Sequence, residues 1–130
     1  LNRTVEKNGL LARCKELGIR LIAYSPLEKG MLTGKYNANK LPPGTRAGMY
    51  AGMLTKIDPL IKLITAIGQD HGGKSNAQVA LNWTISKGAL PIPGAKNVKQ
   101  AQENVGALGW RLTDMEVARL DEASDQVSSS

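Results

Sequence analysis

Only two short runs of this 130-residue chain have the character of β-strands, and both are flanked by helical patterns. The first is apolar and β-branched, from Ile19 to Tyr24, and the second runs from Leu90 to Ile92. Strands that alternate with helices indicate a parallel α/β architecture, in which strands are buried on both faces. Two such strands with open edges cannot form a finished sheet. The sequence therefore predicts part of a larger domain, or a piece that needs a partner.

Apolar spacing and capping residues predict the helices. Thr4 caps the first, and Cys14 on its apolar face is expected to be a buried structural thiol. The stretch 28–56 is rich in Gly, Pro, Asn and Lys, which predicts a long loop. The predicted helices run over residues 4–17, from Asp58-Pro59 to Gly72-Gly73, from Ser75 to Gly88, over 98–105, and from the capping box Thr113-x-x-Glu116 to Leu120. Residues 126–130 are expected to be a frayed tail on a body of residues 1–125.

The composition excludes several classes of function. The chain carries a net charge of +6, but its basic residues are dispersed and aromatic residues make up only 4%. Nucleic acid is therefore not an expected partner. No apolar run approaches the roughly 18 residues of a transmembrane span. The single cysteine and single histidine, Cys14 and His71, show no metal-ligand spacing. His71 is expected to act only as a cation at a helix end.

Tyr24-Ser25-Pro26-Leu27 follows the first strand, at the end where parallel sheets bind ligands. Tyr24 can stack on a flat ring and Ser25 can meet a phosphate, although a core tyrosine before an ordinary turn would look the same. Further on, Gly30-x-x-Thr33-Gly34-Lys35 has the wrong spacing for a P-loop. Lys35 and Arg46 can still reach phosphates as mobile cations, or belong to a solvated basic loop.

The segment from Gly94 to Asn104 is the stronger candidate site. Gly94 permits close approach of a ligand to the backbone. Lys96 adds charge near a helix N-terminus, which already favours an anion. Gln100, Glu103 and Asn104 follow at helical steps, and they can hydrogen-bond a purine. The alternative is a solvated polar helix start.

Taken together, these segments closely resemble the aldo-keto reductase family. The resemblance covers roughly residues 1–125 and rests on several motifs in the family's order. They are Leu1-Asn2-Arg3, Gly18-Ile19, Ala23-Tyr24-Ser25-Pro26-Leu27, Gly30-x-Leu32-Thr33-Gly34-Lys35-Tyr36, Pro91-Ile92-Pro93-Gly94-Ala95-Lys96, Gln100-Ala101-x-Glu103-Asn104-x-Gly106-Ala107 and Leu112-Thr113-x-x-Glu116.

The resemblance implies a (β/α)8 barrel that binds NADPH and reduces aldehydes and ketones to alcohols by hydride transfer. Of the residues named above, it implies that Tyr24 stacks on the nicotinamide and that Ser25, Leu27 and Gly30 contact the pyrophosphate. Lys35 and Arg46 belong to the loop that folds over the cofactor. The adenosine end is contacted by Gly94, Lys96 and Gln100 at the 2′-phosphate and by Glu103 and Asn104 at the adenine.

The chain resembles only the final part of the family, the last two strands and their helices, whereas a whole barrel takes about 250 residues. The family's catalytic Asp, Tyr, Lys and His belong to earlier strands, so no catalytic residue is assigned. The first hypothesis is an NADPH-binding C-terminal part of a reductase, completed by a missing N-terminal part and acting on a small carbonyl substrate. The alternatives are a structural or accessory subunit completed by another chain, and a half-barrel that binds NADPH alone. A soluble protein of the cytoplasm or the plastid stroma is expected.

Overall fold

The computed structural model describes residues 2–129, except for the side chains of Arg46, Met49 and Ser129. Helices and strands alternate as predicted. In chain order they are α1 (Thr4–Lys7), α2 (Leu10–Glu16), β1 (Ile22–Tyr24), a 3-10 helix (Glu28–Thr33), α3 (Arg46–Asp70), α4 (Asn76–Ser86), β2 (Leu90–Ile92), α5 (Val98–Val105) and α6 (Asp114–Ser129). No helix in this described part is both long and apolar enough to cross a membrane.

The two strands pair in parallel, as the alternation with helices predicts, with Ile22 opposite Leu90 and Tyr24 opposite Ile92. The expectation that they are buried on both faces is wrong. Tyr24 is 83% exposed and Ile92 is 52% exposed, whereas the intervening Ala23 is half-buried. Successive side chains of a strand point to opposite faces. The helices therefore cover one face of this sheet and leave the other open.

The core lies between α3, α4 and α6 rather than on the sheet. Its side chains are more than nine-tenths buried, and each stabilises the fold by roughly 1.5–3 kcal/mol relative to an exposed position. The residues that form it are Leu32, Leu60, Ile64, Ile67, Val79, Ala80, Trp83, Leu112 and Leu120. Ile64 and Val79 therefore lie on the buried sides of α3 and α4.

Helix α3 corrects two predictions. It starts at Arg46, inside the predicted loop 28–56, and it continues through Pro59, where a start was predicted. A proline inside a helix costs about 3 kcal/mol. A continuous buried stripe formed by Tyr50, Leu54, Ile57 and Leu60 crosses the proline and offsets that cost. Before α3, the supposed loop also contains the 3-10 helix, in which Met31 and Leu32 are buried.

The predicted helix 4–17 is instead two short helices. The chain breaks at Asn8-Gly9, where Gly9 has a φ of 81°, and the predicted cap Thr4 is the first helical residue. Leu11 is buried, but Leu17 is 57% exposed. Cys14 is half-buried, not buried as expected, since no element covers the remainder of this apolar face in the described chain.

The predicted caps at Ser75 and Thr113 are confirmed. Ser75 and Gln78 form a reciprocal capping box at the start of α4. At the start of α6, the Thr113 amide donates to Glu116 Oε2 at 2.7 Å and the Glu116 amide donates to Thr113 Oγ1 at 3.2 Å. Helix α6 passes the predicted end at Leu120 and includes residues 121–129. Ser130 lies outside the described residues.

A buried amide joins α4 to the connector between α5 and α6. Asn82 is 2% exposed, and its Nδ2 donates to the carbonyls of Ala107 at 3.0 Å and Trp110 at 2.9 Å. Its Oδ1 accepts the Leu112 amide at 3.1 Å. One side chain thus satisfies three backbone groups that have no helical partner.

We predict that Asn82→Ala lowers the free energy of unfolding by about 3 kcal/mol, because buried polar groups left without partners cost roughly 1–3 kcal/mol each. Urea denaturation checks this value. The matched control is Ser86→Ala, which removes only a weak 3.4 Å bond to Asn82 and is expected to cost about 0.5 kcal/mol. Equal losses in the two variants would contradict the role of Asn82.

A network of charged side chains fastens α1 to α4 and α6. Arg3 pairs with Glu6 and with Asp121, each at 3.1 Å, and Lys87 pairs with Glu6 at 2.8 Å and also with Asp121. Arg3, Glu6, Lys87 and Asp121 are all at least 79% buried at their side chains. Burial raises the pKa of Glu6, but the hydrogen bonds and charges of Arg3 and Lys87 lower it by more.

The lowered pKa of Glu6 predicts a loss of stability in acid. Its folded pKa lies below its ordinary value of 4.5, so its contribution is complete above that pH and disappears as the pH falls through the folded value. We expect Glu6→Gln to flatten the acid limb of the stability curve, measured by thermal unfolding between pH 3 and 7. Glu16→Gln is the control, because Glu16 forms only the exposed pair with Arg13. If the stability of Glu6→Gln falls with decreasing pH as steeply as that of the unmutated chain, Glu6 is not the cause of the acid sensitivity.

Candidate functional site

The two predicted site segments meet at one edge of the sheet. Because Tyr24 stands opposite Ile92 in a parallel pair, Ser25 and Pro93 leave the strands side by side. This is the carboxyl edge, where ligands bind in parallel α/β folds. Tyr24 presents its ring on the uncovered face of the sheet. The reading of Tyr24 as a core tyrosine is therefore wrong for this chain.

The turn after β1 holds unusual backbone conformations. Ser25, Glu28 and Lys29 have φ values of 50°, 47° and 53°, in the left-handed region that non-glycine residues seldom adopt. Such residues cluster at functional sites. Gly30 follows with a φ of 92°, and its amide donates to the Leu27 carbonyl at 2.9 Å. The turn therefore exposes Ser25, while Leu27 is half-buried against the core.

The loop before α5 is held by side chains of that helix. The amide of Lys96 donates to Gln100 Oε1 at 2.8 Å, and Asn104 Nδ2 donates to the Gly94 carbonyl at 3.3 Å. Asn97 caps the helix by accepting the Gln100 amide at 2.9 Å. The sequence reasoning missed this cap, although Asn97-x-x-Gln100 has the spacing of an N-terminal capping signal. The amides of Gln100 and Asn104 thus shape the loop from within.

This arrangement leaves positive charge and open space at the start of α5. Lys96 is exposed, and no carboxylate of the described residues lies within salt-bridge distance of it. A Cβ built on Gly94 would meet nothing within 4 Å. The helix N-terminus adds backbone N–H groups that attract an anion. One turn later, the Glu103 side chain is exposed to solvent. The space beside Gly94 and Lys96 is therefore open to a phosphate.

Of the two remaining predicted residues, Lys35 follows the 3-10 helix and Arg46 is the first residue of α3. Lys35 Nζ lies 5.4 Å from the centroid of the Tyr36 ring. Just before it, a Cβ on Gly34 would come within 2.7 Å of Asn76 Nδ2, so this segment passes close to the start of α4. Arg46 begins α3, but its side chain lies outside the described residues.

Two other features bear on the chemistry. His71 Nε2 lies 2.9 Å from Glu116 Oε1, a partner 45 residues away that the sequence reasoning did not find. This pair joins the end of α3 to the start of α6, away from the strand ends. In the part of the chain that the structure describes, no group of three or more His, Cys, Asp or Glu side chains could hold a metal ion.

A cavity of about 500 Å³ opens between α1, β1 and α4. Tyr24 and Ser25 line it, together with Arg3, Lys29 and Trp83, whereas the segment from Gly94 to Asn104 does not. The cavity therefore lies beside the strand-end cluster and apart from the α5 cluster. Its lining is mixed, with Arg3 and Lys29 beside apolar side chains such as Trp83.

Comparison with known proteins gives a consistent match. The family model described as the aldo/keto reductase family matches residues 1–125. A curated relative, the chloroplastic pyridoxal reductase of Arabidopsis thaliana, is 48% identical over 117 residues, which are 90% of this chain and 32% of the relative. The chain thus spans about a third of the length of that relative.

Solved structures show the same likeness. An aldo-keto reductase of Bombyx mori in complex with NADP superposes with a TM-score of 0.60 at 29% identity, over 88% of this chain and 32% of its own. The glycerol dehydrogenase of Gluconobacter oxydans superposes with a TM-score of 0.73 at 24% identity, over 99% of this chain and 41% of its own. At that lower identity the likeness concerns the fold alone.

Proposed function

Because the chain belongs to the aldo/keto reductase family, we propose that it is the NADPH-binding C-terminal part of an oxidoreductase. Its two parallel strands would be the last two strands of a (β/α)8 barrel. The whole enzyme would reduce a small aldehyde or ketone to the alcohol. The observation that carries the proposal is the meeting of the strand-end and α5 segments at one carboxyl edge.

The strand-end cluster suits the nicotinamide end of the cofactor. Tyr24 offers an exposed ring, which can stack on a flat heterocycle. Ser25 follows in a strained turn that leaves its hydroxyl at the edge of the sheet. Together with Leu27 and Gly30, it would contact the pyrophosphate. These residues would orient the cofactor and would not exchange protons with the substrate.

The α5 cluster suits the adenosine end. Lys96 would pair with the 2′-phosphate, which favours NADPH over NADH because NADH lacks that charge. Gly94 leaves open space for the ribose phosphate. Gln100 holds the Lys96 amide in place, and Glu103 with Asn104 would read the adenine. Lys35, from the segment before α3, and Arg46, from the first residue of α3, would close over the cofactor.

NADPH supplies the hydride in such a reaction, and an acid must protonate the developing alkoxide. No residue of this chain matches the family's catalytic motifs, so the acid would come from the remaining part of the barrel. The proposed role of this part is binding and orientation of the hydride donor. The chloroplastic relative favours the plastid stroma over the cytoplasm as its compartment.

We expect Lys96→Glu in the full-length protein to raise the KM for NADPH more than tenfold, because it replaces an attractive charge by a repulsive one. The KM for NADH should change less than threefold, because NADH has no 2′-phosphate to lose the contact. Steady-state kinetics with both cofactors and an aldehyde panel measure the effect.

Lys99→Glu is the matched control, since Lys99 is exposed in the first turn of α5, just after the loop of Lys96, and undergoes the same charge change. Its NADPH KM should stay within threefold of the unmutated value. An equal rise of the NADPH KM in both variants would mean that the effect comes from the net charge of the region and not from a specific contact of Lys96. A full-length protein that reduces no carbonyl compound with NADPH would overturn the proposed function.

A second candidate is a structural or accessory subunit that is completed by another chain. The uncovered face of the sheet favours it, because Ile22 and Ile92 are more than half exposed there and sheet edges recruit further strands. Light scattering on the isolated 130-residue chain tests this candidate. Self-association or capture of the rest of the barrel is expected, whereas a folded monomer that stays monomeric at high concentration would count against it.

A further inference from the structure

Gln78 uses both ends of its side-chain amide to join two helices. Its Oε1 accepts the Ser75 amide at 3.0 Å, which is one half of the capping box of α4. Its Nε2 donates to the carbonyl of Glu103, on α5, at 3.1 Å. The two roles belong to different atoms, so they can be separated by substitution. Gln78 lies outside the segments assigned to the cofactor.

The contact with α5 is close and sterically specific. A Cβ built on Gly106, the residue after α5, would lie 2.1 Å from Gln78 Nε2 and 3.0 Å from Gln78 Cδ. The side-chain amide of Gln78 therefore fits against α5 in this position only because residue 106 has no side chain. Trp110 Nε1 also donates to the Gly106 carbonyl, at 3.0 Å. The C-terminal end of α5 is thus held by side-chain amides and an indole N–H.

These polar contacts matter because α5 buries little apolar surface against the rest of the fold. None of its eight residues is buried, and Val98 and Val105 are 72% and 65% exposed. Helix α5 packs on α4, where Gln78 and Asn82 stand one turn apart on one side of the helix. Asn82 holds the connector beyond α5, and Gln78 holds α5 itself.

The position of α5 passes directly to the proposed phosphate site. Gln100, in the first turn of α5, accepts the Lys96 amide, and Asn104, in its last turn, donates to the Gly94 carbonyl. A shift or tilt of α5 therefore moves the loop that carries Lys96. Gln78 is bonded to Glu103 of α5, and α5 is bonded to the loop through Gln100 and Asn104. The open space beside Gly94 lies on that loop.

We infer that Gln78 is a positioning residue for the adenosine end of the cofactor: it holds α5, and through α5 the loop of Gly94 and Lys96, in the geometry that receives the 2′-phosphate. The ligand in this inference rests on the proposed function, whereas the mechanical link between Gln78 and α5 does not. The side chain of Gln78 bonds to Ser75 and Glu103 and is not assigned a contact with the cofactor or the substrate.

The decisive variant is Gln78→Glu in the full-length protein. The carboxylate still accepts the Ser75 amide, but it cannot donate to the Glu103 carbonyl. We expect the KM for NADPH, and the dissociation constant of the probe adenosine 2′,5′-bisphosphate, to rise roughly five- to tenfold, the effect of one lost hydrogen bond. The kcat at saturating NADPH should stay within twofold, because the nicotinamide end keeps its own contacts.

Ser75→Ala is the matched control. It removes the hydroxyl that accepts the backbone N–H of Gln78 at 3.3 Å. The bond from the Gln78 side chain to the Glu103 carbonyl stays in place. We expect it to lower the melting temperature while the affinity for adenosine 2′,5′-bisphosphate stays unchanged. Gly106→Ala disrupts the same contact from the side of α5, because its methyl group would displace the side-chain amide of Gln78. It should therefore weaken binding of adenosine 2′,5′-bisphosphate as Gln78→Glu does.

Amide hydrogen exchange gives a readout that needs no cofactor. Residues 98–105 should exchange faster in Gln78→Glu and Gly106→Ala than in the unmutated protein, and at the unmutated rate in Ser75→Ala. Unchanged exchange and unchanged probe affinity in folded Gln78→Glu would overturn the inference, as would equal losses of probe affinity in Gln78→Glu and Ser75→Ala. Failure of the unmutated protein to bind NADPH would overturn the proposed function instead, and exchange would still decide whether Gln78 holds α5.

Discussion

The parallel pairing of β1 with β2 is the constraint on which the other features depend. Parallel strands require a long crossover, and here the 3-10 helix, α3 and α4 lie between the two strands. The pairing brings Ser25 and Pro93 out at the same edge. It also leaves the opposite face, with Tyr24 and Ile92, open. A candidate cofactor site and an incomplete sheet are therefore two consequences of one arrangement.

Different forces hold the two halves of the candidate site. The turn after β1 is anchored by apolar packing, since Leu32 is almost fully buried and Leu27 packs on the same core. Helix α5 buries no residue and is held by amide side chains of α4, above all Gln78. Hydrogen bonds are directional, whereas apolar packing is not, so the position of α5 and of the loop before it depends on the orientation of a few polar groups.

The accuracy of sequence reasoning differed along the chain for identifiable reasons. The helix cap at Ser75 and the capping box at Thr113 were predicted correctly, because a cap depends on residues three positions apart. The start of α3 was missed, because Pro59 looks like a helix start and the favourable burial of Tyr50 and Leu54 appears only in the packed structure. For the candidate site, motif resemblance named the residues, but their roles remain predictions.

The sequence by itself determined the alternation of helices with two strands, the parallel pairing and the family, and it nominated the residues of the candidate site, since each depends on local pattern or on motifs in series. Only the tertiary structure decided which faces are covered and which distant groups meet. The ion pairs of Arg3 with Asp121 and the bond from Gln78 to Glu103 join separate helices. Such contacts depend on how helices pack against one another, and local spacing carries no information about that packing.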